Sequence, residues 1–372
     1  MTQPNEWNES YSVGEPRGAA ASLPSRPVIL IDDNLKSMID KAWRAVHLAN
    51  RSPTVFLQDR RMVEVVERYR GMQEIPEMQV QRMGRIRFYS HLGQVADWMA
   101  ATKRGPVNRF PDKRVAQFMY AMPDEQLPVL RTVIGAPVFG ADGTLLSEPG
   151  YHAADRLWHY IPPGGDTPRI PEQPSPDDVT KARHWLEREL LGDFRFAGPS
   201  DGPRKCRGWD ASALALAAVL LPFARQLVNG PIPAHVVDAT ESGAGRSLFV
   251  DLVRLLATGG LVFGGMGTSQ VPEVQEVKRR GGELDNDAVR ILLVTTSRRP
   301  WLRSDFRHSR LLEWARDHRN QLIHAALVLV KHWLASGRPP GPARLRGFEE
   351  WSEVMGGILA AAGIEGSLGR AT

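Results

Sequence analysis

The sequence predicts an α/β protein in which an α+β N-terminal domain and a helical collar precede an α/β core. Residues 234–258 run from an apolar strand pattern, through a turn with two glycines, into a helix pattern. Hairpin patterns occur twice between residues 27 and 172, and a stretch dense in proline and glycine, 161–176, then separates that region from the helices that follow. With 372 residues, the chain is long enough for two or more such parts to bury cores of their own.

The composition narrows the class of protein. A single cysteine, Cys206, cannot form an internal disulfide, and no Cys/His cluster in the sequence has the spacing of zinc ligands. The longest apolar run, 213–224, is shorter than the roughly 20 residues that a membrane span needs, and it contains Pro222. We therefore expect a cytoplasmic protein with no membrane partner. A net charge of +5 is compatible with a polyanionic partner.

The predicted N-terminal domain, 27–172, follows a tail, 1–26, that is predicted to be disordered. The tail has no apolar core of signal-peptide length and carries acids as well as arginines, so we expect neither an export nor a transit sequence. The pattern predicts a strand at Val28–Asp33 and then a helix at Asn34–Asn50. The segment Thr54–Val66 predicts a hairpin that turns at Asp59 and Arg60.

Further along this domain, Arg85–Ser90 predicts another strand, and a helix is expected around Leu92–Thr102. The segment Val133–Leu146 carries the strongest hairpin signal in the chain, with its turn at Asp142 and Gly143. The stretch 161–176 is predicted to be a linker.

The predicted collar, 173–229, begins at a capping serine, Ser175, followed by a proline and two aspartates near the positive end of the helix dipole. A second, mostly buried helix is predicted over 210–228, kinked or ended near Pro222. The predicted core is 230–346, with a strand at 291–297 and two helices across 309–336, and a helical tail follows at 347–372.

The segment Asp238–Ser247, DATESGAGRS, is close to a phosphate-binding loop, whose pattern is GxxxxGK[ST]. Gly245 and Ser247 match this pattern, whereas Thr240 takes the place of the first glycine and Arg246 that of the lysine. Amides at the start of the following helix are predicted to face phosphate oxygens, and Ser247 is predicted to ligate Mg²⁺. The predicted contacts to ATP phosphates are Thr240, Gly243, Ala244, Gly245, Arg246 and Ser247.

Two interpretations of this segment stay open on the motif alone. Gly243 and Gly245 permit a tight strand-to-helix turn in any protein, with or without a ligand. The positive charge survives at Arg246, but a planar guanidinium need not reach the position of an ammonium between the β- and γ-phosphates. If the site binds nucleotide, we therefore expect binding to outlast catalysis.

Five segments carry a resemblance to a known family, in the same order along the chain: Val133–Tyr151, Leu190–Phe196, Trp209–Thr240, Arg303–Pro339 and Phe348–Ile364. They resemble the helicase half of the primase-helicases of bacteriophages and integrated elements. These enzymes belong to the poxvirus-type, superfamily 3-like branch of the AAA+ ATPases. The resemblance spans Pro27–Ile364, and it implies a truncated three-layer P-loop NTPase core.

The departures from that family concern the metal. Its magnesium-positioning acids end a strand after the phosphate loop, and a second strand ends in a polar sensor. Here one strand pattern, Ile291–Ser297, ends in hydroxyls, of which Thr296 is the candidate sensor. The nearby acids, Glu283, Asp285 and Asp287, precede that strand. The chain looks as if the acid-bearing strand has been deleted, and in-line phosphoryl transfer needs such a carboxylate.

Basic residues flank the candidate sensor strand. The resemblance implies that Arg299 or Arg303 is an arginine finger that reaches a neighbouring subunit's nucleotide. The same residues could instead line a DNA channel or form a solvated surface stripe.

The sequence and the resemblance together indicate a helicase-like ATP-binding protein of a phage or integrated element. We expect it to act in DNA replication, with weakened or lost ATP hydrolysis. Its expected cofactors are ATP and Mg²⁺, and its expected partners are DNA, single-stranded or at a fork, a homo-oligomeric ring and the element's replication proteins. The alternative is a non-enzymatic scaffold of the same fold that binds DNA or a partner protein. A nucleotide-gated regulator that co-assembles with intact helicase rings is a third reading.

Overall fold

The structure, a computed structural model, describes residues 26–68, 77–161, 167–198, 210–259, 274–276, 288–295 and 303–364. These residues form a mixed α/β fold, as the sequence predicts. The chain divides into a first unit, Met1–Arg51 with Gly84–Met122, and a second unit, Ser52–Met83 with Pro123–Thr372. The predicted N-terminal domain, 27–172, contributes to both units. The predicted tail, 1–26, lies outside the described residues except for Arg26, as does part of the predicted linker.

The elements are numbered along the chain. The strands are β1 (Val28–Ile31), β2 (Val55–Gln58), β3 (Arg61–Arg68), β4 (Glu77–Arg82), β5 (Asp97–Thr102), β6 (Gly105–Arg109), β7 (Thr132–Ile134), β8 (Val138–Phe139), β9 (Leu145–Leu146), β10 (Gly150–His152), β11 (Leu157–His159), β12 (Ala234–Ala239), β13 (Val274–Glu276) and β14 (Ala288–Leu293). The helices are α1 (Leu35–Ala49), α2 (Arg85–Val95), α3 (Lys113–Ala121), α4 (Pro176–Arg183), α5 (Ala211–Ala224), α6 (Arg246–Thr258), α7 (Leu311–Asp317), α8 (Arg319–Ala335) and α9 (Glu349–Ala361). No helix in the described ranges is long and apolar enough to cross a bilayer.

The first unit joins a three-stranded sheet to three helices. Strand β1 pairs in parallel with β5, and β5 forms an antiparallel hairpin with β6. Helices α1, α2 and α3 pack against one another. The Asn34 side chain caps α1 by accepting from the Ser37 amide at 3.0 Å. The buried apolar side chains of the first unit include Ile29, Met38, Phe88, Leu92 and Trp98.

Two predictions in this unit are wrong. Arg85–Ser90 is not a strand, and the helix expected around Leu92–Thr102 is instead α2, which ends at Val95 and is followed by β5. Phe88, Leu92 and Val95 are buried at helical spacing, whereas Ile86, which suggested alternation with Phe88, is 85% exposed. This segment is therefore a helix because burial of one helical face outweighs the short alternation of its apolar residues.

The second unit contains the hairpins that the sequence predicts. Asp59 and Arg60 both have positive φ, at 49° and 59°, as the tight turn between β2 and β3 requires. The β8–β9 hairpin turns at Gly143, with φ 91°, and the Asp142 carboxylate accepts from the Thr144 amide at 2.7 Å. Both predicted turns are confirmed.

Helices α5 and α8 form the centre of the second unit's core. Twelve of the 14 residues of α5 are buried, which explains why its sequence is apolar all round. Pro222 lies within α5, which continues to Ala224 before a 3-10 turn. The predicted start of α4 is confirmed as a reciprocal cap between Ser175 and Asp178.

A parallel sheet with the order β13-β12-β14 lies beside this core. Its outer edge at β14 is extended by residues 195–197, because Phe196 bridges Leu293 in the antiparallel sense. Strand β12 is central in the sheet and leads directly into the glycine turn and α6.

A buried arginine closes the C-terminal end of α6. Arg319, 8% exposed, donates from Nε to the carbonyl of Leu255 at 2.8 Å and from Nη2 to that of Leu256 at 2.8 Å. The same Nη2 donates to the Gly135 carbonyl at 2.7 Å. Burial lowers the pKa of Arg319 to about 10, so its guanidinium stays charged at neutral pH. The cation therefore lies at the negative end of the α6 dipole.

We predict that Arg319→Met lowers the free energy of unfolding by about 2–4 kcal/mol, because it leaves buried carbonyls without a donor. Denaturant unfolding of the variant and the parent measures this difference. The exposed Arg316 on α7 supplies the control, and Arg316→Met is expected to unfold like the parent. Equal midpoints for the two variants would contradict the role given to Arg319.

Candidate functional site

The glycine turn joins β12 to α6. Gly243 and Gly245 have φ of 84° and 97°, in the left-handed region where a side chain is strained. Gly245 is the N-cap of α6, so the chain enters the helix directly from this turn. Thr240 ties the turn to the neighbouring strand, because its amide donates to the Leu293 carbonyl at 3.0 Å and its hydroxyl accepts from the Thr295 amide at 3.2 Å.

The turn leaves backbone donors available. Within the described part of the chain, the amides of Gly243, Ala244 and Gly245 donate no hydrogen bond to the protein. They lie at the N-terminus of a 13-residue helix, where the helix dipole is positive. Gly243 and Ser247 are exposed. The turn can therefore receive an anion without first breaking contacts of these three amides.

The turn opens onto a cavity of about 620 Å³. Its wall is formed by residues 193–195, 243–245, 294–295 and 308–313, together with Leu248, Arg303, Asp305 and Phe306. A volume of this size suits a nucleotide or another small organic ligand. The structure thus brings together four predicted site residues, namely Gly243, Ala244, Gly245 and Arg303.

The other predicted site residues are placed differently. Thr240, Arg246 and Ser247 belong to the turn and the first turn of α6 but do not line the cavity. Thr296 and Arg299 lie outside the described residues, as do the acids Glu283, Asp285 and Asp287. Their predicted roles therefore stay predictions.

The Phe194 ring packs against the glycine turn. A Cβ atom on Gly245 would lie 3.1 Å from the Phe194 ring, so the ring and the turn are in close contact. Phe194 in turn meets Phe249 of α6 edge-on, at 5.8 Å between ring centroids. The sequence of Leu190–Phe196 shows a resemblance to a family phrase but gives no sign that Phe194 packs against the glycine turn.

Arg303 is fixed on the cavity wall by its own chain. Its Nη1 donates to the Asp193 carbonyl at 2.6 Å, and its Nε donates to Asp305 Oδ1 at 2.8 Å. The guanidinium lies 4.6 Å from the centroid of the Phe306 ring. Asp193 also accepts from the amides of Arg307 and His308, at 3.0 and 3.3 Å. Arg303 can therefore contact a ligand bound to its own chain, with no need of a second subunit.

A polar cluster lies behind this wall. The Glu189 carboxylate pairs with Arg307 Nη1 at 2.8 Å and with His308 Nε2 at 3.0 Å. Burial raises the pKa of Glu189, but the hydrogen bond with His308 and the charge of Arg307 outweigh it and lower the pKa overall. The His308 ring stacks on Trp314 at 3.9 Å between centroids. These contacts make the 303–314 side of the cavity a fixed surface.

Among the described residues, the carboxylates that line the cavity lie close to arginines. Arg303 pairs with Asp305 and lies 3.6 Å from Asp193, and Arg310 pairs with Glu313 at 3.2 Å. Asp238 lies on β12, near the end that leads into the turn, and is paired with Arg290 of β14. No group of three or more metal-ligating side chains occurs among the described residues. Their donor set fits an anion better than a divalent cation, and we derive no step through Mg²⁺.

Comparisons with family models, with curated proteins and with solved structures find no match for the chain.

We predict that Gly245→Ala costs about 2–3 kcal/mol of folding free energy, because a left-handed alanine also meets the Phe194 ring. Gly347→Ala is the matched control, since Gly347 has a similar φ of 85° and nothing within 4 Å of the added Cβ. That variant is expected to cost about 1 kcal/mol, from the backbone conformation alone. Equal losses in thermal unfolding would show that Phe194 does not support the turn.

Proposed function

We propose that the chain binds ATP in the cavity at the start of α6. One observation carries the proposal, namely that Gly243, Ala244 and Gly245, whose amides donate no hydrogen bond to the described part of the protein, line the same cavity as Arg303. Amides at a helix N-terminus and a nearby guanidinium are the groups that bind phosphate oxygens in proteins. The aromatic rings of Phe194 and Phe306 supply apolar surface in the same cavity.

The wider function that we propose is that of a helicase-like protein of a phage or integrated element that acts in DNA replication. This part rests on the resemblance in the sequence, which also implies a truncated P-loop NTPase core, a ring of subunits and DNA as partner. The glycine turn between a central parallel strand and a helix supports it, because a phosphate loop occupies that position. Strand β14 pairs in parallel with β12, as neighbouring strands do in such a core.

We propose further that ATP hydrolysis is weakened or lost. Hydrolysis of a phosphoanhydride needs a group that neutralises developing charge and another that orients water. The described carboxylates at the cavity are paired with arginines, which limits their use for either task. This pairing also favours the alternative function, a scaffold that no longer turns over nucleotide but binds DNA or a partner protein.

We predict that Arg303→Met weakens ATP binding about 10- to 100-fold, the worth of one hydrogen bond to a charged group. Calorimetric titration of the full chain with ATP measures the affinity, and Arg316→Met is the control that removes an exposed charge elsewhere. Arg303→Lys keeps the charge but not the bonds to Asp193 and Asp305, so it is expected to bind with intermediate affinity. Thermal melts of each variant separate loss of binding from loss of fold.

The same titration separates the two functions. Binding that depends on magnesium and is abolished in Ser247→Ala supports a live nucleotide site with a metal at Ser247. No binding of ATP at millimolar concentration by the folded parent supports the scaffold. ATP turnover with single-stranded DNA that survives Arg246→Ala would exclude the turn as the catalytic phosphate cradle.

A further inference from the structure

The positive charge of the chain is concentrated in the first unit. The described residues of that unit, 26–51 and 84–122, include twelve lysines and arginines but only five aspartates and no glutamate. Their net charge is therefore +7, whereas the whole chain carries +5. Residues 1–25 of the same unit add three glutamates and one arginine, so the whole first unit carries +5 and the second unit carries no net charge. A basic unit in an otherwise balanced chain indicates a polyanionic partner for that unit.

The β5–β6 hairpin presents part of this charge at an exposed tip. Lys103 and Arg104 are both exposed and form the turn between the two strands. The turn is fixed, because the Thr102 hydroxyl donates to the Gly105 carbonyl at 2.5 Å and accepts from the Arg104 amide at 3.3 Å. Asp97 begins β5 about 17 Å from the tip at the rise of an extended strand. It is therefore remote from the tip cations, but it lies at the base of the hairpin, where its neighbour Trp98 pairs with Arg109.

The base of the hairpin adds an exposed aromatic ring between cations. Arg109 ends β6, Phe110 follows it, and Lys113 begins α3. Phe110 is 82% exposed although its backbone is anchored: the next residue, Pro111, is buried, and the Tyr89 hydroxyl donates to the Pro111 carbonyl at 3.1 Å. A large ring held out into solvent on a fixed backbone is available to stack on a planar ligand.

These cations are not neutralised within the unit. Arg114 pairs with Asp112, at 2.9 Å between Nη2 and Oδ2. By contrast, Lys103, Arg104, Arg109 and Lys113 have no carboxylate within 4 Å among the described residues. Their charges are therefore available to an external anion.

We propose that this surface, defined by Lys103, Arg104, Arg109, Phe110 and Lys113, binds single-stranded nucleic acid. The four cations contact phosphates, and Phe110 stacks on a base. Cations that alternate with an exposed aromatic ring fit a single strand, whose bases are open to stacking, better than a duplex, whose bases are already stacked. The surface gives the DNA partner of the proposed function a location. The evidence for this surface comes from the first unit alone, so a test can contradict this proposal without contradicting the nucleotide site.

The test is fluorescence anisotropy of a labelled oligothymidylate of about 20 nucleotides, long enough to cover one such binding surface, with the full chain and no ATP. Four phosphate contacts predict that log affinity falls against log salt concentration with a slope of about −3. The double variant Lys103→Ala/Arg104→Ala is expected to lower the affinity at least ~10-fold and to reduce that slope by about 1. Phe110→Ala is expected to lower the affinity ~5- to 100-fold with the slope unchanged.

The control is Arg316→Ala/Arg346→Ala, which removes two exposed charges from the second unit and is expected to bind like the parent. Circular dichroism confirms that each variant is folded. Absence of binding by the folded parent, equal losses in the control, or a duplex bound as tightly and without dependence on Phe110 would each overturn the proposal. A change in oligomeric state of Phe110→Ala without loss of oligonucleotide binding would reassign the surface to a second copy of the chain. ATP binding is expected to be unchanged in all of these variants.

Discussion

The buried guanidinium of Arg319 is the interaction on which the geometry of the candidate site depends. It donates hydrogen bonds to carbonyls at the C-terminal end of α6 and to the carbonyl of Gly135, so a charged donor caps that end of the helix. Gly135 also donates to the Ala257 carbonyl at 3.1 Å, and a side chain at Gly135 would collide with Thr258. Three segments distant in sequence thus meet at one end of α6. With that end fixed, the position of the other end, where the glycine turn lies, is fixed as well.

The two ends of α6 have opposite chemistry. At the C-terminus the carbonyls are satisfied within the protein, whereas at the N-terminus the amides of the glycine turn lie beside a cavity. The helix dipole places its positive end at the open side. Phe194 and Phe249 hold the turn from below, and the Arg303 network holds the opposite wall. The proposed anion would therefore bind with little rearrangement of the turn, which is the condition for useful affinity.

The sequence predicts this site unevenly, and the reasons are physical. The strand, the two glycines and α6 follow from local pattern, because φ angles and helical periodicity depend on neighbouring residues. The same holds for the turn at Asp59 and Arg60. By contrast, the pairing of Arg303 with Asp193 joins residues 110 positions apart, and that of Arg319 with Gly135 joins residues 184 apart. Such contacts leave no periodic signal in one sequence. The strand prediction for Arg85–Ser90 is wrong for a related reason. The alternation of its apolar residues is too short to outweigh the helical face that tertiary packing buries.

We propose that the amides of Gly243, Ala244 and Gly245 bind the phosphates of a nucleotide. The most direct measurement is the amide resonances of these three residues in ¹H–¹⁵N correlation spectra during titration of the full chain with ATP. We expect saturable shifts at all three amides with ATP, and saturable shifts at the same three amides with inorganic pyrophosphate, which supplies phosphates but no base or sugar. Resonances that stay in place at millimolar ATP, in a chain that remains folded, would contradict this proposal.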